Sequence, residues 1–370
     1  MFHLYITLAF IIPNIYVLFR VNSLFISKGY KGLYILIYLL IAAIYPLSGR
    51  FPGRDVNFLI KTFSTISDYL LPFYLYLFLF VLLFDLFLLL NIFIKILSSE
   101  IRRRFSFRFY TLSAILILSA CVVIGGAINL NIIRVSKYQV DVPRKQSNLD
   151  HLKVAFVADF HIQQNIPLDF VEQFVMKVNE LQPDILLYGG DIVEGNRENG
   201  TLSTIESTLL KIHTKYGAYG VLGNHESYGR RETTSFFRKA GIILLRDSLA
   251  KIDSSFCLAG RYDQQYRGRK SVNEIIGTGS PALPVILMDH RPTELQETSL
   301  TPVDVLFSGH THNGQLFPIN LILNSMYDLT WGYKKIRNTH FFVTSGLRLW
   351  GPPVKTAGKS EIMLVDINFK

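Results

Sequence analysis

Cysteine is nearly absent from this chain: 370 residues hold two, Cys121 and Cys257. Cys121 lies inside a long apolar run and Cys257 far from it, so a disulfide framework is excluded. No G-x-S-x-G and no P-loop occurs, which removes the common serine-hydrolase and nucleotide-triphosphatase readings. No internal repeat is found. The most informative shortage is of charge. No Asp, Glu, Lys or Arg occurs between Met1 and Phe19, from Gly32 to Gly49 or from Phe109 to Ile133, and the run from Tyr69 to Ile94 holds only Asp85.

Roughly 20 apolar residues cross the hydrocarbon core of a bilayer. The four runs therefore predict an all-α transmembrane region of about four helices over residues 1–135. The first run has no basic start and no small-residue cleavage site before Arg20, so it reads as an anchor rather than a signal peptide. Residues 136–152, polar and containing Pro143, read as a linker, and 153–370 as a globular domain.

Charge divides the same way. Residues 1–150 hold 15 Lys and Arg against 6 Asp and Glu, whereas 151–370 hold 23 against 22, so the net +10 belongs almost entirely to the apolar half. Basic residues beside spans set topology and touch anionic lipid, and no nucleic-acid partner is expected. The loop with Lys95, Arg102, Arg103, Arg104 and Arg108 is the strongest inside signal. Arg20, Lys28 and Lys31 share its side, while Arg50, Arg54 and Lys61 are partly offset by Asp55 and Asp68. That count predicts a multi-pass protein of the cell (inner) membrane with an extracytoplasmic C-terminal domain, although Arg134, Lys137, Arg144 and Lys145 argue the other way. Arg102-Arg103-Arg104-Phe105 is similar to a twin-arginine export signal, with a plain basic loop as the competing reading. Asp85 marks either a polar pathway or a bundle-facing structural acid, and no basic partner is visible in the other spans.

From His151 onward short apolar runs alternate with helical spacing. Strands are expected at 153–158, 184–188, 218–222, 242–245, 255–259, 285–288, 303–307, 341–344 and 362–367, with helices at 167–181 and 201–213. Alternation early and more strands late predict an α/β fold of two packed sheets flanked by helices. Five strand exits deliver polar residues: Asp159-Phe-His161, Gly189-Gly190-Asp191, Gly223-Asn224-His225-Glu226, Asp289-His290 and Gly309-His310-Thr311-His312. In extended backbone His310 and His312 would point to the same side, which suits a metal, although a lone His-x-His is as often a polar loop. The ends of strands in open α/β sheets converge on one crevice, so the five exits together favour a site. Carboxylate, amide and imidazole without thiolate favour divalent Mn, Fe or Zn. Two such ions about 3.5 to 4 Å apart can hold a hydroxide and clamp an in-line displacement at phosphorus.

These blocks resemble the ordered signature D-x-H, G-D, G-N-H-D/E, H, G-H-x-H of the calcineurin-like metallophosphoesterase superfamily, over about residues 153–370. The resemblance implies a four-layer β-sandwich with outer helices and a binuclear centre. It implies that Asp159, His161 and His312 hold one ion, that Asp191 bridges, and that Asn224, His290 and His310 hold the other. It further implies that His225 contacts the phosphate and assists the leaving group, with Asp191 and His225 as the catalytic residues. The segments "MDHRP" and "SGLRLWGPPVKTAGKSEI" are similar to a membrane-anchored bacterial branch that includes twin-arginine-exported phosphoesterases and UDP-diacylglucosamine pyrophosphohydrolases. Asn313 stands where that pattern has glycine and Lys355 where arginine is usual, both expected near the substrate.

His213 and His340 read as structural, and "YRGRKS", Tyr266 to Ser271, as a solvated loop rather than a head-group grip. The expected activity is hydrolysis of a phosphomonoester, phosphodiester or pyrophosphate. A lipid or lipid-linked phosphate ester is the favoured substrate, since anchoring holds the site near the bilayer. The rival reading is a non-catalytic membrane scaffold or sensor that kept the fold.

Overall fold

A computed structural model of the chain describes residues 2–48, 58–163, 166–194, 200–227, 234–277, 279 and 281–370, with backbone only at 2–9, 200 and 201. The chain divides into two compact units, Met1–Ile128 with Gly351–Thr356, and Asn129–Trp350 with Ala357–Lys370.

The first unit is helical: α1 (Phe2–Leu24), α2 (Lys31–Ser48), α3 (Phe58–Ile94), α4 (Ser99–Arg103) and α5 (Phe105–Leu130). Three segments, Lys28–Ser48, Phe58–Ile94 and Phe105–Leu130, are long and apolar enough to cross a membrane, and α1 contributes a shorter apolar stretch, Phe10–Leu24. Val17, Val21, Tyr74, Leu77 and Val81 form its interior. Large apolar side chains such as Leu40, Leu90 and Ile117 are exposed, a surface suited to lipid rather than water. Arg50, Arg54 and Asp55, part of the topology count, lie outside the described residues.

The structure supplies the basic partner that the sequence hides. Arg20 lies within α1, not in a loop, and forks onto Asp85 of α3 with Nε to Oδ2 at 2.7 Å and Nη2 to Oδ1 at 2.5 Å. Tyr16, one helical turn before Arg20, donates its hydroxyl to the same carboxylate. Asp85 is thereby a bundle-facing acid closed by its own unit. Arg20 drops out of the loop charges that set topology.

The second unit holds two six-stranded sheets. Its strands are β1 (Arg134–Val142), β2 (His151–Val157), β3 (Ile185–Tyr188), β4 (Ala218–Gly220), β5 (Ile242–Leu244), β6 (Ser248–Ile252), β7 (Phe256–Gly260), β8 (Val285–Met288), β9 (Val305–Ser308), β10 (Gly332–Ile336), β11 (Thr339–Val343) and β12 (Glu361–Phe369). One sheet runs β1-β12-β2-β3-β4-β5 and the other β10-β11-β9-β8-β7-β6. In the first, β2 to β5 are parallel; in the second, β7, β8, β9 and β11 are. Phe156, Phe307, Phe342, Met288 and Val365 fill the space between the sheets. Phe174, Val178, Ile205 and Phe237, from α6 (Leu168–Leu181), α7 (Gly200–Leu209) and α8 (Thr234–Lys239), cover one outer face. Val272 and Leu295, from α9 (Val272–Ile276) and α10 (Leu295–Thr298), cover the other. A last short helix, α11 (Ile319–Leu323), follows the loop after β9. Helix, sheet, sheet and helix make the expected four layers.

Residues 136–142 are strand rather than linker. They complete β1, which pairs in parallel with β12 from Arg134 opposite Glu361 to Val142 opposite Phe369. Ser136, Val140 and Val142 are buried while Lys137, Gln139 and Asp141 are exposed, so an edge strand with charge on its open face has the composition of a linker. In the "YRGRKS" loop Tyr266, Arg267, Gly268, Lys270 and Ser271 are exposed as expected, and Arg269 is the exception. Its side chain is 8% exposed and pairs with buried Asp289, which Arg261 also contacts at 2.9 Å, and Tyr262 stacks on Tyr266.

Candidate metal centre

The five polar blocks follow β2, β3, β4, β8 and β9, at the carboxyl ends of parallel strands from both sheets. Backbone bonds lock the loops together. The Asp159 N–H donates to Gly190 O at 3.0 Å, that of His161 to Asp191 O at 3.0 Å, and that of Gly309 to His290 O at 2.9 Å. Carboxylates are held as well: His225 N–H donates to Asp191 Oδ1 at 2.8 Å, and His310 N–H reaches Asp159 Oδ2 at 3.0 Å. A Cβ at Gly309 would lie 2.5 Å from Asp159 Oδ2, so a side chain there would push that carboxylate away.

The backbone itself is unusual at this crevice. Asp159, His161, Asp191, His310 and His312 all have positive φ, between 48° and 70°. Left-handed backbone is costly for such residues and persists where packing over-determines it, commonly at functional sites. Asn313 shares the geometry, with φ 49° and ψ 38°. Asparagine tolerates that region better than most residues, which explains why it stands where the family pattern has glycine.

Three sets of donors lie within 4.8 Å of one another: Asp159, His161 and His312; Asp191, His290 and His310; and His161, Asp191 and His225. His310 and His312 thus fall in different sets despite their spacing. His161 Nε2 is 3.3 Å from His312 Nε2, and His290 Nε2 is 3.1 Å from Asp191 Oδ2. The outer ring nitrogens are engaged elsewhere: His161 Nδ1 on Glu194 at 2.7 Å and His290 Nδ1 on Gly189 O at 2.8 Å. Each bond turns Nε2 toward the crevice, the outer support that metal-binding histidines use. Asn224 is buried beside His225. Buried carboxylates, inward imidazoles and no thiolate fit divalent cations.

Electrostatics express the crowding. Burial raises the Asp159 carboxyl above the usual range. Burial would raise Asp191 too, but the charge and hydrogen bond of His290, with His161 and His225, hold it well below that range. Burial would lower His290; the attraction and hydrogen bond of Asp191 override it and push the imidazole up to about 10. His310 is pushed down to about 3 by burial and by the charges of His290 and Arg291. Where two buried acids hold a proton on a neighbouring imidazole so tightly, a cation can take the proton's place.

Two acids missed in the sequence complete the site. Glu194 is resisted by burial yet held down at about 2 by hydrogen bonds from His161 and His225. It joins a candidate ligand to the candidate leaving-group histidine, whose Nδ1 lies 3.0 Å away. Only its position three residues after Asp191 could have signalled it. Glu226, the last residue of its motif, accepts the N–H groups of Asp191, Ile192, Val193 and Gly223 at 2.6 to 3.1 Å. It ties the Gly-Asp loop to the Gly-Asn-His loop; burial, with the nearby Asp191 charge, pushes its carboxyl up to about 7. Lys355 is fully buried and belongs with the helical unit, where its N–H donates to Gly126 O at 3.0 Å. His340 is buried and bonds Tyr333, a structural role.

Residues 152–314 match the calcineurin-like phosphoesterase family. The chain is 29% identical over 246 residues to an uncharacterized metallophosphoesterase of Aquifex aeolicus, covering 64% of this chain and 93% of that protein. An uncharacterized metallophosphoesterase of Helicobacter pylori is 30% identical over 221 residues, covering 57% and 58%. A transmembrane protein with metallophosphoesterase domain from Danio rerio is 27% identical over 266 residues, covering 67% and 60%. The chain thus spans less than two thirds of the last two relatives. The donors gathered at the strand ends lie in the matched segment, and this chain carries a calcineurin-like metallophosphoesterase domain.

Proposed function

We propose that the protein is a membrane-anchored, two-metal phosphoesterase whose helices, α1 included as a fourth span, form the anchor and whose sheets form the catalytic part. The observation that carries this is the pair of adjacent donor sets, Asp159 with His161 and His312, and Asp191 with His290 and His310. Asp159, His161 and His312 would hold one ion, Asn224, His290 and His310 the other, with Asp191 shared between them. Bound there, divalent ions would polarise phosphoryl oxygens and lower the pKa of an attacking water.

The chain's own residues supply the rest. Glu194 accepts from His225 Nδ1–H, which fixes the ring and leaves Nε2 as the atom that can pass a proton to a departing alkoxide. Burial opposes a charge on His225, but the Glu194 hydrogen bond and Asp191 raise its pKa above the ordinary value, so the ring holds a proton to give. Glu226 ties the Asp191 loop to Gly223 through its four N–H contacts, and the His225 N–H donates to Asp191 itself. Anchoring favours a lipid or lipid-linked phosphate ester as substrate. The exposed Arg102, Arg103 and Arg104 beside α5 support a cytoplasmic α4 and an extracytoplasmic catalytic domain.

The purified chain should hydrolyse bis-p-nitrophenyl phosphate or p-nitrophenyl phosphate on addition of Mn²⁺. Asp191→Asn should lose about a thousandfold or more of that turnover together with bound metal. His225→Ala should lower turnover with metal retained. Metal binding without metal-dependent turnover on any phosphoester or pyrophosphate would leave the scaffold reading standing.

A further inference from the structure

The loop that carries His310 and His312 runs on into a surface the catalytic reading does not use. From Gly314 to Tyr333 the sequence has one charged residue, Asp328. Phe317, Ile319, Leu321, Ile322 and Met326, in and around α11, are 39 to 68% exposed. A water-facing segment rarely gathers five large apolar side chains within ten residues.

The segment is fixed rather than loose. Gln315 N–H donates to His312 O at 3.1 Å, Ile319 N–H to Leu316 O at 2.8 Å, and Thr311 Oγ1 to Thr330 O at 2.6 Å. A Cβ at Gly314 would lie 2.6 Å from the Asn320 backbone, so α11 is packed directly on the loop of the candidate ligands. At its far end stands Trp331, 37% exposed, with Lys359 Nζ 5.5 Å from its ring. Lys334 reaches back to Asp328 O at 3.0 Å. Apolar side chains bordered by a tryptophan and two lysines match the layers of a bilayer surface: acyl chains, the interfacial belt and anionic phosphates.

We propose that α11 and its flanks form a bilayer-contacting surface of the catalytic domain, one that sets the His310–His312 loop at the lipid head-group level. The proposal rests on the anchoring half of the functional reading and not on the chemistry. Three segments long and apolar enough to span a membrane keep a bilayer within reach of this chain. A lipid surface is therefore the occupant favoured over a second copy of the chain or a soluble protein.

Trp331 and Trp350 are the two tryptophans of the chain, which makes fluorescence quenching selective. The full chain in nanodiscs made with brominated phosphatidylcholine is the probe. With Trp331→Phe and Trp350→Phe as background, Ile322→Trp should be quenched several-fold more than Met176→Trp, an exposed position on α6. A milder variant gives the same reading: in Trp350→Phe alone, Trp331 should be quenched more than Met176→Trp in the doubly substituted background. Equal quenching at the two sites overturns the proposal. So does absence of quenching together with crosslinking between copies across Leu321. A chain that does not co-elute with nanodiscs rejects the anchoring itself, whereas quenching in a chain without phosphoesterase activity supports the surface and separates it from the catalytic reading.

Discussion

Both units draw aspartates out of water, Asp85 in part and Asp159 and Asp191 fully, and they neutralise them in opposite ways. In the helical unit Asp85 meets a guanidinium fork from Arg20 and a hydroxyl from Tyr16, so the charge is closed within the protein. In the α/β unit Asp159 and Asp191 lie among histidines, and among the described residues no lysine or arginine pairs with either. A guanidinium already supplies a fixed positive charge, whereas an imidazole that gives up its proton becomes a metal ligand. The first arrangement is thus a structural lock and the second a candidate cation site. The rule generalises within this chain: Asp289, also buried, is closed by Arg261 and Arg269, and the candidate ligand from its block is the neighbouring His290.

The sharpest way to break the α/β half of this comparison is Glu226→Gln. The substitution sets an NH₂ against a row of backbone donors, and the expected cost is about 2 to 3 kcal/mol, with weaker metal binding. Denaturant unfolding of the full chain, followed with metal titration, checks it. An unchanged midpoint would show that the four N–H contacts do not brace the loops.

For the helical half, Asp85→Leu leaves Arg20 without its partner. Because the Arg20 side chain is 37% exposed, the expected loss is about 2 kcal/mol rather than the larger figure for a fully buried pair. Arg20→Leu combined with Asp85→Leu should recover most of it. Thermal unfolding in detergent reads both, and a double variant as unstable as the single one would assign Asp85 a role beyond pairing.

The smallest effect concerns the loop of the candidate ligands. At the positive φ of Asn313, Asn313→Gly should stay within about 0.5 kcal/mol, while Asn313→Val should cost about 1 to 2 kcal/mol. Equal tolerance of both would mean that the left-handed backbone at 313 is not required. Unfolding of the two variants side by side measures this.

Much of the site was legible because its chemistry is written in short blocks after apolar runs. Asp159, His161, Asp191, Asn224, His225, His290, His310 and His312 were each visible as polar residues at a strand exit. What stayed hidden depends on partners distant in sequence. Arg20 and Asp85 are 65 residues apart and meet only when α1 packs on α3. Strands β1 and β10 carry charges on exposed faces, and their sequences read as strand only once an edge is there to pair with. Arg269 reads as a solvated loop residue until Asp289 is brought against it.

The sequence alone therefore determined the division into an apolar, basic half and a nearly neutral α/β half, and the donor types at the strand exits. Hydropathy and residue chemistry are local properties and survive without coordinates. The tertiary structure decided the pairing: that Glu194 joins His161 to His225, that Glu226 ties the Gly-Asp loop to the Gly-Asn-His loop, and that Asp85 is closed by Arg20. Those outcomes depend on distances between residues far apart in the chain, which only the packed backbone, with its left-handed turns at the ligand positions, sets.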